Sequence, residues 1–269
     1  MASNWPACLF VCPDRPPLRV VNPPMGANIP KAPAPPPPPR SAPLVGETPD
    51  LFAPSTPVPA PPRAAAPESA IAESVPLLSY PERVERLSAI AREVAACRNC
   101  CLCQERTHVV PGQGNPISPL VFVGEGPGAD EDEQGLAFVG RAGRLLGDII
   151  KAMQLTRDDV FICNVVKCRP PGNRTPAPDE MTACEPFLKR QLEIIRPSVI
   201  VALGAVALRC LLRDNRISIT KIRGHWHTYE GIPMMPTFHP AYLLRNPPEK
   251  KWVWEDMKQV MHVFGLKPK

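Results

Sequence analysis

Cys97 and Cys100 stand three positions apart, and Cys168 and Cys184 follow much later in the chain. Two thiols at that spacing can face one metal from a single turn, and two distant ones can close the set. Four thiolates suit either a structural zinc or an iron–sulfur cluster, and spacing alone leaves both open. The register is open too, because Cys100-x-x-Cys103 repeats the pattern and Cys101 lies between. Cys163 and Cys210 fall inside apolar stretches and read as small buried hydrophobes. Cys8 and Cys12 have no evident partner.

A second set of residues shares a position rather than a spacing. The run LVFV at 120–123 opens into Gly124-Glu125-Gly126-Pro127-Gly128, followed by an acidic loop and a lone aromatic, Phe138. VFICN ends on Asn164, and IPMMPTFHP carries His239 just past its apolar run. Carboxyl ends of strands in an open parallel sheet lie along one edge, where ligands bind. Glu125, Phe138, Asn164 and His239 can therefore share one pocket: a carboxylate, an aromatic face, an amide and an imidazole. The glycines, Gly126 among them, let backbone approach a ligand without an intervening side chain. Gly124 to Ala129 also matches G-x-G-x-x-A, but Asp130, Glu131, Asp132 and Glu133 would repel a pyrophosphate, so a dinucleotide site is rejected. A surface turn with a solvated acidic run is the plainer alternative.

The elements that must hold these residues follow from periodicity. Strands are expected near 120–124, 160–165, 198–203 and 233–238, with helices near 141–154, 178–195, 205–213 and 249–263. Strands apolar on both faces, such as SVIVAL, belong to a covered parallel sheet. The expected fold class is α/β, a three-layer α/β/α sandwich around a short, mostly parallel sheet. Its domain spans 79–269, beginning with Ser79 as N-cap before Pro81 and a helix carrying Val84, Leu87, Ile90, Ala91 and Val94. Of 39 prolines, 22 lie in residues 1–80, so 1–78 reads as a disordered Pro/Ala-rich tail, with a protein partner for its proline runs one use.

Charge and location bound the function classes. The net charge is +5, and residues 1–79 hold five basic against five acidic side chains, so the excess sits on the folded part. That suits a polyanionic partner. No apolar run approaches the ~20 residues that span a bilayer, and no secretory leader is evident, so no membrane association and a cytoplasmic location are expected. Cysteines in that compartment point to metal ligation rather than disulfides.

The segments GEGPGADEDEQGLAFVGRAG, NVVKCRPPGNRTP, SITKIRG and TFHPAYLLRNP, in this order and with Cys97, Cys100, Cys168 and Cys184 around them, resemble the family 4 uracil-DNA glycosylases, the iron–sulfur branch of that superfamily. The resemblance covers roughly 83–264. It implies hydrolysis of the N-glycosidic bond of uracil in single- or double-stranded DNA by a monomer in the nucleoid, releasing uracil and leaving an abasic site. It implies a 4Fe-4S cluster on those four cysteines, which settles the register. It makes Glu125 and His239 catalytic, has Phe138 and Asn164 hold the base, and puts Glu131 where thymine's methyl group would be blocked. Leu244 and Arg245 would wedge into the vacated stack and hold a phosphate. The remaining histidines, 108, 225, 227 and 262, read as surface or packing residues.

Two alternatives stay beside this. One is a non-catalytic iron–sulfur or zinc DNA-binding protein, which would need none of Glu125, Phe138, Asn164 and His239; a redox-sensing variant of it is favoured only by the extra cysteines. The other is a relative trapped covalently on uracil-DNA. That branch carries a basic insertion ending in histidine, whereas here Phe138 to Arg144 runs straight into a helix, so turnover is expected.

Overall fold

The computed structural model describes residues 9–10, 18–24 and 78–268; Cys8, Cys12 and most of the proline-rich segment lie outside the described residues. Its strands are β1 (Gln113–Gly114), β2 (Leu120–Gly124), β3 (Phe161–Asn164), β4 (Val199–Leu203), β5 (His227–Tyr229) and β6 (Ile232–Thr237). They form one sheet in the order β1-β3-β2-β4-β6-β5. The four inner strands run parallel, while β1 and β5 close the edges antiparallel.

Every residue of β2, β3 and β4 is buried, as their apolar runs require. Successive side chains point to opposite faces of a strand, so each strand feeds two cores. Val121, Val123, Phe161 and Ile200 pack with residues of α1 (Tyr80–Ala96), α4 (Pro178–Ile195) and α5 (Gly204–Leu212). Leu120, Phe122, Ile162 and Val201 pack with α3 (Arg141–Ala152), α7 (Pro240–Arg245) and α8 (Lys250–Val263). Two short helices, α2 (Ala129–Gln134) and α6 (Ile219–Ile222), complete the set. This is the expected three-layer α/β/α arrangement.

Three helices start by one device. Glu82, Glu131 and Glu180 each turn back to accept the backbone N–H of the residue that precedes the helix, Ser79, Gly128 and Ala177. A carboxylate there satisfies an orphan donor and meets the positive end of the helix dipole. The same physics explains one departure from expectation. The acidic run at 130–133 is not a loop but the body of α2, with its carboxylates at the helix start.

A second departure concerns the segment read as a tail. Gly114 N donates to Leu9 O at 2.9 Å, Phe10 bridges to Gly114, and its ring stacks on Phe161 with centroids 6.4 Å apart. Val21 and Asn22 donate their N–H groups to Val263 O. These stretches belong to the packed domain. Among the described residues no helix is long and apolar enough to cross a membrane.

Candidate active site

Chain direction sets where a cleft can open. The connection from β2 to β3 leads to one side of β2, whereas β4 and then β6 lie on the other. The carboxyl ends on either side of this reversal are where an open sheet leaves a crevice. A cleft of about 480 Å³ opens there, and Glu125, Gly126, Glu131, Phe138, Asn164, His239 and Arg245 all line it. Of the residues singled out around the base pocket, only Leu244 is not among its walls. It stands 42% exposed beside Arg245 on α7, an unusual place for a leucine.

Asn164 ends β3 and is 1% exposed, yet its Oδ1 has no hydrogen-bond partner. A buried carbonyl oxygen without a donor costs roughly 1–3 kcal/mol, so this atom is poised for an N–H that a ligand brings. Gly124 at the end of β2 makes room for it. A Cβ there would fall 2.4 Å from Asn164 Oδ1 and 2.5 Å from Phe138 Cζ.

Phe138 sits at φ 54°, a left-handed conformation that an aromatic residue rarely adopts. Two charged side chains hold it. Arg157 donates to Phe138 O at 3.1 Å and to Ala137 O at 2.7 Å. Glu131 Oε1 accepts Val139 N and Gly140 N, both at 2.9 Å, while Oε2 takes Gly128 N at 3.1 Å. Glu131 thus clasps the turn after β2 to the loop of Phe138, besides lining the cleft. Gly143 is the third constraint, since a Cβ would meet Phe138 O at 1.9 Å.

His239 precedes α7 as its N-cap, and its Nδ1 accepts Ala241 N at 3.1 Å. An acceptor Nδ1 leaves the proton on Nε2. Burial, with a smaller contribution from the nearby Arg245 cation, pushes its pKa down to about 4, so the ring is neutral at physiological pH. The Phe138 and His239 rings lie 5.7 Å apart at 35°, forming two walls of one slot. Burial raises the Glu125 carboxyl above its ordinary value, partly opposed by a hydrogen bond from Thr175.

The cysteines converge as well. Cys97, Cys100, Cys168 and Cys184 line one small cavity between α1, the loop after β3 and α4, and Cys103 lines it too. Two cations attend the sulfurs: Arg106 Nη1 donates to Cys168 Sγ at 3.1 Å, and the buried Lys167 offers its backbone N–H to Cys184 Sγ at 3.3 Å. Burial pushes the Cys184 thiol up to about 11, so it stays protonated unless a cation binds it. A thiol-only donor set flanked by positive charge fits a thiolate-ligated metal group. Among the described residues no three such side chains close up at the spacing of a single ion. Cys163 and Cys210 stay in the core packing, as their positions suggest.

Sequence reasoning missed the residues that hold the others in place. Lys167 Nζ donates to Asn164 O at 2.8 Å and to Gln191 Oε1 at 2.6 Å, joining the end of β3 to α4 within reach of the cysteine cavity. Arg174 was not missed, since the sequence marks it with Arg169 as part of a DNA-facing loop; it lies on the cleft wall, fixed by Glu180 at 2.5 and 2.8 Å. Thr175 and Tyr242 complete the wall. Nothing in its spacing marks Lys167, because its partners are a backbone carbonyl and a glutamine 24 positions on.

The profile of the Uracil DNA glycosylase superfamily matches residues 111–258. The chain is 52% identical over 167 residues to a type-4 uracil-DNA glycosylase of Thermotoga maritima, spanning 61% of this chain and 86% of that one. It is 45% identical over 194 residues to one of Sulfurisphaera tokodaii, spanning 69% and 88%. A third, from Archaeoglobus fulgidus, is 41% identical over 191 residues, spanning 68% and 96%.

Proposed function

This chain belongs to the type-4 members of the Uracil DNA glycosylase superfamily, and we propose from that premise how its cleft removes uracil from DNA. It is a uracil-DNA glycosylase, a hydrolase that splits the N-glycosidic bond and leaves an abasic site for repair. The observation that carries the reading of the site is the unpartnered Oδ1 of Asn164, buried in a slot between Phe138 and His239.

A uracil inside a duplex cannot reach a strand-end cleft, so it must swing out, at a cost of a few kcal/mol. Leu244 fills the vacated stack from its exposed position on α7, and Arg245 and Arg174 on the cleft wall meet phosphates. The flipped ring stacks on Phe138. Asn164 Oδ1 accepts N3–H while the amide NH₂ donates to O4; cytosine presents the opposite pattern and leaves both groups unpaired. Glu131 at the wall stands against the thymine methyl group.

Breaking the bond puts negative charge on the base and positive charge on the sugar. His239 Nε2–H donates to O2 as charge gathers there, an electrostatic role for which a neutral imidazole with a fixed tautomer is suited. Glu125 orients a water toward C1′ and takes its proton as the new C–O bond forms; the base leaves with the electron pair of the old bond.

The four cysteines Cys97, Cys100, Cys168 and Cys184 would hold a 4Fe-4S cluster; the thiol-lined cavity and the likeness to type-4 relatives support that reading. When bound, it supplies cross-links between the end of α1, the loop after Asn164 and α4, with no redox step in the hydrolysis. On this reading the protein acts as a monomer on DNA in the nucleoid, and a protein partner binds the proline-rich segment. Incubation with a uracil-containing oligonucleotide, then alkali, tests the activity. Strand cleavage with free uracil released is the expected result, and an intact strand at stoichiometric enzyme, or a covalent adduct, refutes it.

A further inference from the structure

We propose that Cys103 is a fifth ligand position of the cysteine cavity, able to hold the metal cluster in place of Cys97; this rests on the cluster reading above. Cys101–Cys103 form a 3₁₀ turn with Cys100 as its N-cap, closed by Cys103 N donating to Cys100 O at 3.4 Å. The turn brings Cys103 back beside the N-cap Cys100, whose own backbone is extended. Cys103 accordingly lines the cavity with the other four. Cys101, a third of a turn round, is exposed and donates from Sγ to Glu180 Oε1 at 3.1 Å, away from the cavity.

Two C-x-x-C pairs therefore overlap on one wall and share Cys100. Cys97 and Cys103 both line the cavity with Cys168 and Cys184, and each completes a C-x-x-C pair with the same Cys100, so they are placed as alternatives for one corner. Their supports differ. Cys97 caps the end of α1, where Arg106 Nη2 grips its carbonyl at 3.0 Å, whereas Cys103 ends a single turn of 3₁₀ helix, a weaker hydrogen-bonding geometry. The exchange balances simply. The Cys103 thiol loses its proton to solvent as its sulfur binds iron, the released Cys97 thiolate takes one up, and no iron changes oxidation state. An enzyme with this reserve keeps its cluster when Cys97 is oxidised or alkylated.

The test is iron and acid-labile sulfide per chain, with the visible charge-transfer absorbance, in the full-length protein purified without oxygen. Cys97→Ala and Cys103→Ala should each retain most of the wild-type iron, Cys97→Ala/Cys101→Ala should match Cys97→Ala, and Cys97→Ala/Cys103→Ala should hold about tenfold less. Loss of iron from Cys97→Ala as complete as from Cys97→Ala/Cys103→Ala overturns the proposal while leaving the cluster reading intact. Wild type without iron overturns both. Progressive iodoacetamide alkylation of the iron-loaded wild type, mapped by mass spectrometry, asks the same question without a substitution. Iron retained in chains labelled at Cys97 supports the exchange, and iron lost in step with Cys97 labelling sinks it.

Discussion

At the scale of single residues the site turns on two protonation states. A folded pKa near 4 for His239 means that pH must fall well past the ordinary imidazole range before the ring charges. Glu125 moves the other way, raised above 4.5, so it is protonated first as pH falls. The acid limb of kcat should therefore belong to Glu125, and Glu125→Gln, though slower throughout, should be flat down to about 4. A wild-type limb centred on 6.5 that vanishes in His239→Gln would contradict this assignment. His239→Ala removes one donor to a developing anion, which is worth about 100- to 1000-fold in kcat. Its affinity for uracil-DNA should change little; equal losses in both would make the histidine a binding or folding residue. That Glu125 and His239 line one cleft was legible because each follows an apolar run, a position that topology sends to a single edge. Their supports were not: Arg157, Lys167 and the clasping role of Glu131 depend on backbone atoms whose placement no local pattern records.

At the scale of elements the fold was legible where runs were long. The apolar stretches of β2, β3, β4 and β6 and the periodic ones of α3, α4, α5 and α8 lie within a few residues of expectation. β1, β5, α6 and α7 are too short for any period to show, at two, three, four and six residues. α2 was missed for a different reason. Consecutive acids repel one another along a surface, and here backbone amides make that charge favourable: those at the helix start and in the loop of Phe138 meet Glu131, and those of Thr107 and His108 meet Asp132. One carboxylate serves two elements, so Glu131→Ala should damage both. Three backbone N–H groups lose their acceptor, each costing about 1–3 kcal/mol where it stays buried. Thermal denaturation should show a Tm fall of at least several degrees, at about 2–4 °C per kcal/mol for a domain of this size. kcat should fall with it as Phe138 leaves its left-handed conformation. Lower stability with unchanged kcat would show that Phe138 holds its place without the clasp.

At the scale of the whole molecule the open question is what Leu9, Phe10 and residues 18–24 contribute, since they lie in the segment that composition marks as unable to fold. Leu9 is buried and Phe10 stacks on Phe161, which fixes a chain end against the antiparallel edge formed by β1. An unpaired edge invites pairing with another chain, and covering it is a standard protection. Burying two large side chains contributes about 1.5–3 kcal/mol each, but ordering each residue of the strap costs about 1–2 kcal/mol, so the docking is worth little net. That sets a ceiling on mutational damage. In a rigid core Leu→Ala costs about 2–5 kcal/mol; here the strap can detach instead, and the loss cannot exceed its docking free energy. Leu9→Ala/Phe10→Ala should thus lower Tm by only a few degrees in thermal denaturation. Activity should persist, because Phe161 begins β3 and Asn164 ends it, which puts the strap about 10 Å from the cleft at the rise of an extended chain. A large loss of kcat in that double variant would mean that the strap reaches the cleft through β3, and that Leu9 and Phe10 belong to the catalytic unit rather than to its protection.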